Sequence, residues 1–187
     1  SMRAAFHTFG CKLNQYETES LASALRSADL TVVPAGAEAE LHLVNTCTVT
    51  SRSEQKARRL IRGLARGEPG SLVLVTGCYA QLDPEPLQAL GENVVVIAQE
   101  SKALLLRLPE HLRAGGTLER ASVLRWLDSL RREVPGERDA PQSAAQRAGQ
   151  AFAFQVERFS FHSRAFLKIQ DGCDYGCAYC RVPLARG

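Results

Sequence analysis

LHLVNTCTVTSRSEQKARRLIRGLARGEPGSLVLVTGC, residues 41–78, decides the fold. It opens and closes on short apolar runs, Leu41 to Asn45 and Leu72 to Thr76. Each run is about five residues long, the length of a strand buried on both faces of a parallel sheet. Between them, Ser53 to Arg66 carries the spacing of an amphipathic helix. A strand, a crossover helix and a second strand make a parallel βαβ unit, because parallel neighbours cannot be joined by a tight turn. Each strand is followed within two residues by a cysteine, Cys47 and Cys78.

The same pattern extends to both sides. Upstream, Ala4 to Thr8 reads as a strand, Asn14 to Ala28 as a helix, and Cys11 lies in the turn between them. Glu17 and Glu19 near the start of that helix suit the positive end of its dipole. Downstream, Val94 to Ile97 reads as another strand, with helices over Pro84 to Leu90 and Ala103 to Arg113. The prediction is an α/β fold, Rossmann-like, with a mostly parallel sheet and flanking helices.

Leu118 to Val134 has apolar residues at spacings near three and predicts a further amphipathic helix. Pro135 to Gly149, with two prolines and two glycines, reads as a flexible linker. Arg164 to Gln170 is expected to be a strand leading into DGCDYGCAYCRVP, where Cys173, Cys177 and Cys180 fall within eight positions. The predicted organisation is residues 1–114 as an α/β domain, 115–160 as a helix plus linker, and 161–187 as the start of a second domain.

Composition limits the function classes. Hydrophobic residues make up 45% and charged residues 23% of the 187, close to globular averages. The apolar runs LVLVT and VVVIA are too short to span a bilayer. A formal charge of +3 permits a polyanionic partner without requiring one. The first residues, SMRAAFHTFG, lack the features of a signal peptide, and Ser1-Met2 reads as an expression scar; the expected location is the cytoplasm. In a reducing compartment six cysteines point to metal or redox chemistry rather than to disulfides.

Cys11, Cys47 and Cys78 recur at intervals of 36 and 31 residues, each about one strand-helix-strand unit. Loops leaving the carboxyl ends of parallel strands gather at one edge, where α/β proteins bind ligands, so three cysteines there can converge. A lone cysteine just past a strand is usually a small buried apolar residue, and the matching positions of all three are what set this reading aside. Nucleophilic catalysis lacks a base, because His7 and His42 sit inside strands, where a packed histidine is the default. Lys56, Arg58, Arg59, Arg62 and Arg66 form a basic run that reads as a solvated helix face, with phosphate contact as the alternative.

The C-x3-C-x2-C loop presents three thiolates to one centre. Structural zinc takes four protein ligands, and the fourth would have to be His162, eleven residues upstream, or a distant group. A four-iron cluster on three cysteines keeps one iron open. Zinc-binding and two-cluster electron-carrier readings stay open on the residues alone.

Cys173, Cys177 and Cys180, with Tyr179 before the last, resemble the radical S-adenosylmethionine signature, and KIQDGC with VPLARG is similar to the methylthiotransferases within it. TFGCKLNQYETE, NTCTVTSRSEQKARRLIR and VTGCYAQ resemble that family's amino-terminal domain, most of all the branch acting on threonylcarbamoyl-adenosine of tRNA. The resemblance implies two [4Fe-4S] clusters, one on Cys11, Cys47 and Cys78 and one on Cys173, Cys177 and Cys180, with S-adenosylmethionine beside Tyr179. It further implies a tRNA anticodon stem-loop as substrate, a flavodoxin or ferredoxin type electron donor, and no membrane. Branches acting on isopentenyl-adenosine or on a ribosomal protein are the alternatives. A radical domain needs more chain than follows Cys180, so the expectation is a fragment, inactive alone, with no catalytic residue of its own. Gln170 and Asp171 are assigned to the turn.

Overall fold

The structure is a computed structural model that describes residues 2–28, 30–133, 152–156 and 159–187. Five parallel strands, β1 (Arg3–Thr8), β2 (Thr31–Val33), β3 (Leu41–Thr46), β4 (Leu72–Gly77) and β5 (Val94–Val96), form one sheet in the order β2-β1-β3-β4-β5. The helices are α1 (Lys12–Arg26), α2 (Ser51–Gly67), α3 (Cys78–Leu82), α4 (Pro84–Gln88), a 3-10 helix (Gln99–Arg107), α5 (Leu108–Arg113), α6 (Arg120–Glu133) and α7 (Val182–Arg186).

Every residue of β3 and β4 is buried, because these central strands are covered on both faces. Alternation along them separates two cores. Leu41, Leu43, Leu72 and Leu74 pack with Leu21 and Leu25 of α1 and with Leu105, Leu108 and Leu127. Val44, Val73 and Val75 point the other way, onto Ala57 and Ile61 of α2 and Leu87 of α4. Helix α2 is capped by Thr50, whose hydroxyl accepts from the Ser53 amide at 3.1 Å, satisfying one of the donors a helix start leaves open.

From β1 the chain turns one way to β2 and then crosses to β3 on the other side of β1. That reversal makes the β1/β3 boundary the topological switch point, where the loops at the carboxyl ends part and leave a crevice.

The structure corrects several boundaries. Strand β2 was not foreseen; it is three residues long, at the sheet edge, and ends at Pro34, which has no amide proton for a ladder. The helix expected over Ala103 to Arg113 is a 3-10 helix from Gln99 joined to α5 at Leu108-Pro109, and the one expected from Leu118 begins at Arg120. Arg164 to Gln170 is not a strand: no ladder pairs with it, and Leu167 and Ile169 are 84% and 82% exposed. A strand needs a neighbour for its amides and carbonyls, and this segment instead reaches the domain through side chains. The linker Pro135 to Gly149 lies outside the described residues.

Candidate metal centre

Cys11, Cys47 and Cys78 occupy the turns leaving β1, β3 and β4, three adjacent strands, and the first two flank the switch point. Two glycines let these turns nest. Gly10 has φ +91°, and a Cβ built on it would stand 2.4 Å from the Cys47 Sγ. Gly77 has φ +103°, and its Cβ would stand 2.3 Å from the Thr46 carbonyl oxygen. Only a residue without a side chain takes both that backbone conformation and that approach.

Cys47 is 2% exposed and its Sγ accepts from the Val49 amide at 3.4 Å. Burial pushes its thiol pKa up, and Cys78 and Cys11 add to the rise, because each is near enough for a second negative charge to be unfavourable. Cys11 is exposed and Cys78 half-buried, and all six cysteines are free thiols. Among the described residues no three His, Cys, Asp or Glu side chains are gathered closely enough to hold a metal ion. The turns thus share one edge without their sulfurs being drawn together. As a donor set they suit an iron-sulfur cluster, being three soft thiols in turns that stack through two glycine contacts.

Beneath these turns lies a buried polar layer. Asn14 donates from Nδ2 to the carbonyls of Phe9 and Thr46, both at 2.9 Å. Asn45 donates to the Asn14 carbonyl at 3.0 Å and accepts at Oδ1 from Lys102 Nζ at 2.9 Å. Thr46 donates to the Thr76 carbonyl at 2.6 Å, tying β3 to β4 just ahead of their cysteines. Lys102 and Glu17 form an ion pair of 2.6 Å with both side chains fully buried.

The second trio is joined to this layer. Lys168 Nζ lies 3.2 Å from Glu17 and 2.7 Å from Asp171. Arg186 reaches Glu17 at 2.9 Å, Asp171 at 2.8 Å and Asn14 Oδ1 at 2.6 Å. Arg181, directly after Cys180, donates to Glu54 at 2.7 Å. Glu19 accepts from the amides of Ser160 and Phe161 at 2.8 and 2.6 Å and lies 3.1 Å from His162 Nδ1. Within the loop, the Cys173 amide donates to the Gly187 carbonyl at 2.9 Å and the Cys180 amide to the Cys177 carbonyl at 3.0 Å. Cys177 is exposed, Cys173 and Cys180 are half-buried, and Tyr179 is 91% exposed.

One carboxylate, Glu17, therefore faces three cations. Burial pushes its pKa up, but Lys102, Arg186 and Lys168 outweigh burial and hold it well below the carboxylate range. For Lys102 burial, with Arg186 adding, lowers the pKa despite the paired Glu17 and the more distant Cys78. Arg186 goes the other way: burial opposes its charge, and Glu17 and Asp171 overcome it.

These residues correct the sequence reading of α1. The helix starts at Lys12, so Glu17 and Glu19 lie beyond the first turn and serve contacts rather than the dipole. A signal was present: Asn14, Glu17, Thr18, Leu21, Ala22 and Leu25 share the buried face at helical spacing, and the three polar groups on such a stripe must have partners. Gln170 bonds the Gly172 carbonyl at 3.2 Å, as its turn role requires. His7 and His42 are packed, 3.2 Å apart, with His42 also 3.1 Å from Glu68. On α2, Arg58 bonds the Tyr79 hydroxyl and lies over its ring, while Lys56, Arg59, Arg62 and Arg66 are exposed. No helix among the described residues is long and apolar enough to cross a membrane.

Comparison with known proteins agrees with this architecture. The profile of uncharacterized protein family UPF0004 matches residues 3–98, which spans β1 to β5 and all three of the first cysteines. Threonylcarbamoyladenosine tRNA methylthiotransferase MtaB of Treponema pallidum is 38% identical over 220 aligned positions, covering 96% of this chain and 46% of the relative. The Bacillus subtilis protein of that name is 34% identical, covering 98% of this chain and 36% of the relative. A tRNA-2-methylthio-N(6)-dimethylallyladenosine synthase of Novosphingobium aromaticivorans is 31% identical over 96% of this chain and 36% of its own length. The chain spans less than half the length of these relatives. With a profile match over more than half of its residues, the chain belongs to the UPF0004 family, and the relatives it matches along nearly all of its length are named methylthiotransferases.

Proposed function

We propose that this chain is part of a tRNA methylthiotransferase that acts on threonylcarbamoyl-adenosine beside the anticodon. The observation that carries the reading is the placement of Cys11, Cys47 and Cys78 in the turns of three adjacent strands at the switch-point edge. In this reading they hold one [4Fe-4S] cluster, Cys173, Cys177 and Cys180 hold another, and Tyr179 lies beside S-adenosylmethionine. When bound, a cluster with three cysteine ligands supplies an iron with a position open to an exchangeable ligand, the chemistry needed for cleaving S-adenosylmethionine and for delivering sulfur.

The chain's own residues orient and compensate. Asn14 fixes the carbonyls ahead of Cys11 and Cys47, so the two turns keep one spacing. Lys102 and Arg186 both lie where the Cys78 charge favours their protonated forms, so they would offset the negative charge of a thiolate-bound centre. The exposed Lys56, Arg59, Arg62 and Arg66 of α2 would meet tRNA phosphates, a contact that weakens with salt. An electron donor of the flavodoxin or ferredoxin type completes the partners.

The substrate is tested by mass spectrometry of tRNA nucleosides from cells lacking this modification and supplied with a full-length protein bearing the sequence. Methylthio-threonylcarbamoyl-adenosine is the expected product. Methylthio-isopentenyl-adenosine in its place would move the protein to the other branch. In the same protein Cys47→Ala should still cleave S-adenosylmethionine but form no methylthio product.

A further inference from the structure

We propose that Glu17 is a positioning residue: a buried carboxylate that clasps both flanks of the Cys173–Cys180 loop, through Lys168 before it and Arg186 after it, and so fixes the second cysteine trio against the helix that starts beside the first. The clasp stands on geometry; its bearing on catalysis rests on the function proposed above.

Lys168 and Arg186 are 5 residues upstream and 6 residues downstream of the loop's outer cysteines, and both lie on Glu17, 151 and 169 positions away in sequence. Asp171 closes the base of the loop by bonding the same two cations, at 2.7 and 2.8 Å. The guanidinium of Arg186 also accepts no substitute easily, because it donates at once to Glu17, Asp171 and Asn14. Asn14 in turn holds the carbonyls of Phe9 and Thr46, just ahead of Cys11 and Cys47. Helix α7, which carries Arg186, packs on α3, whose first residue is Cys78. A continuous run of hydrogen bonds therefore joins the flank of one trio to the turns of the other. The side chains of Glu17, Lys168 and Arg186 are almost wholly buried, so solvent does not compete for these bonds.

The test is hydrogen exchange of the whole chain without iron, compared among wild type, Glu17→Gln, Arg186→Gln and Arg186→Lys. The amides of Cys173 and Ala185, which are hydrogen-bonded within the clasped segment, should exchange about tenfold faster or more in Glu17→Gln and Arg186→Gln, while β1, β3 and β4 stay protected. Glu17→Gln also removes the carboxylate paired with Lys102, so Arg186→Gln, which leaves that pair intact, carries the test if Glu17→Gln does not fold. Arg186→Lys keeps the charge but not the fork; it should retain the melting temperature better than Arg186→Gln yet leave Cys173 and Ala185 unprotected. Wild-type protection of both amides in Arg186→Gln would overturn the clasp, and full protection in Arg186→Lys would overturn the role given to the guanidinium. Because no iron is present, a failure here leaves the cluster reading standing, and a protein that takes up no iron can still show the clasp.

Discussion

The side-chain amide of Asn14 donates at 2.9 Å to the carbonyl of Thr46, the residue ahead of Cys47, from a helix that begins one residue after Cys11. Its second proton goes to the Phe9 carbonyl, also at 2.9 Å. One buried amide thus ties the two turns at the switch point together. Asn14→Ala leaves two carbonyls without this donor and should cost on the order of 2 to 3 kcal/mol. It should also raise the alkylation rate of buried Cys47 in the folded protein. Urea unfolding and mass-mapped alkylation check both, and a wild-type rate at Cys47 would show that other contacts hold its turn.

Glu17 and Lys102 are a pair with unequal dependence. Glu17→Gln leaves Lys102 buried without the carboxylate it pairs with, a change of about 3 to 5 kcal/mol. Lys102→Met leaves Glu17 with Lys168 and Arg186 as partners and should cost clearly less. Denaturant midpoints of the two variants give the order, and a costlier Lys102→Met would mean that the outer two cations contribute little to Glu17.

Gly10 and Gly36 separate backbone strain from contact. Their φ angles are +91° and +93°, but a Cβ on Gly36 meets nothing within 4 Å whereas one on Gly10 strikes Cys47. Gly36→Ala should therefore show only the backbone cost, about 1 to 2 kcal/mol. Gly10→Ala should lose distinctly more in thermal unfolding and should disturb Cys47 reactivity. Equal losses would remove the contact from the account.

His7 makes the fold sensitive to mild acid. Burial first, and the His42 ring second, lower its pKa from 6.5 to about 4, with Glu68 opposing. The unfolded chain takes up a proton where the folded protein does not, so this contribution is intact above pH 6.5 and is lost as pH falls toward about 4. The loss is on the order of 3 kcal/mol. Urea midpoints across that window should fall less steeply in His7→Phe than in wild type; identical slopes would assign the acid sensitivity to other groups.

The central fold was legible because Leu41 to Thr46 and Leu72 to Gly77 carry apolar residues on both faces, a pattern set locally by burial in a parallel sheet. The cysteine positions followed from those strands. Strand β2 was not legible, since Thr31 to Val33 becomes a strand only by pairing with β1, and three residues carry no period. RAFLKIQ misled for the opposite reason: it alternates like a strand but has no ladder partner among the described residues. The buried ion pair was hidden because Lys102 and Glu17 are 85 positions apart, and each alone looks like an ordinary surface charge. Arg186 was hidden in the same way, 169 positions from Glu17.

Anaerobic reconstitution with iron and sulfide, followed by an iron count on wild type and Cys47→Ala, tests most directly whether Cys11, Cys47 and Cys78 hold a cluster of their own. Two four-iron clusters give about eight irons per chain in wild type and about four in the variant. An unchanged iron count in Cys47→Ala, or stoichiometric zinc with no iron chromophore in wild type, would contradict it.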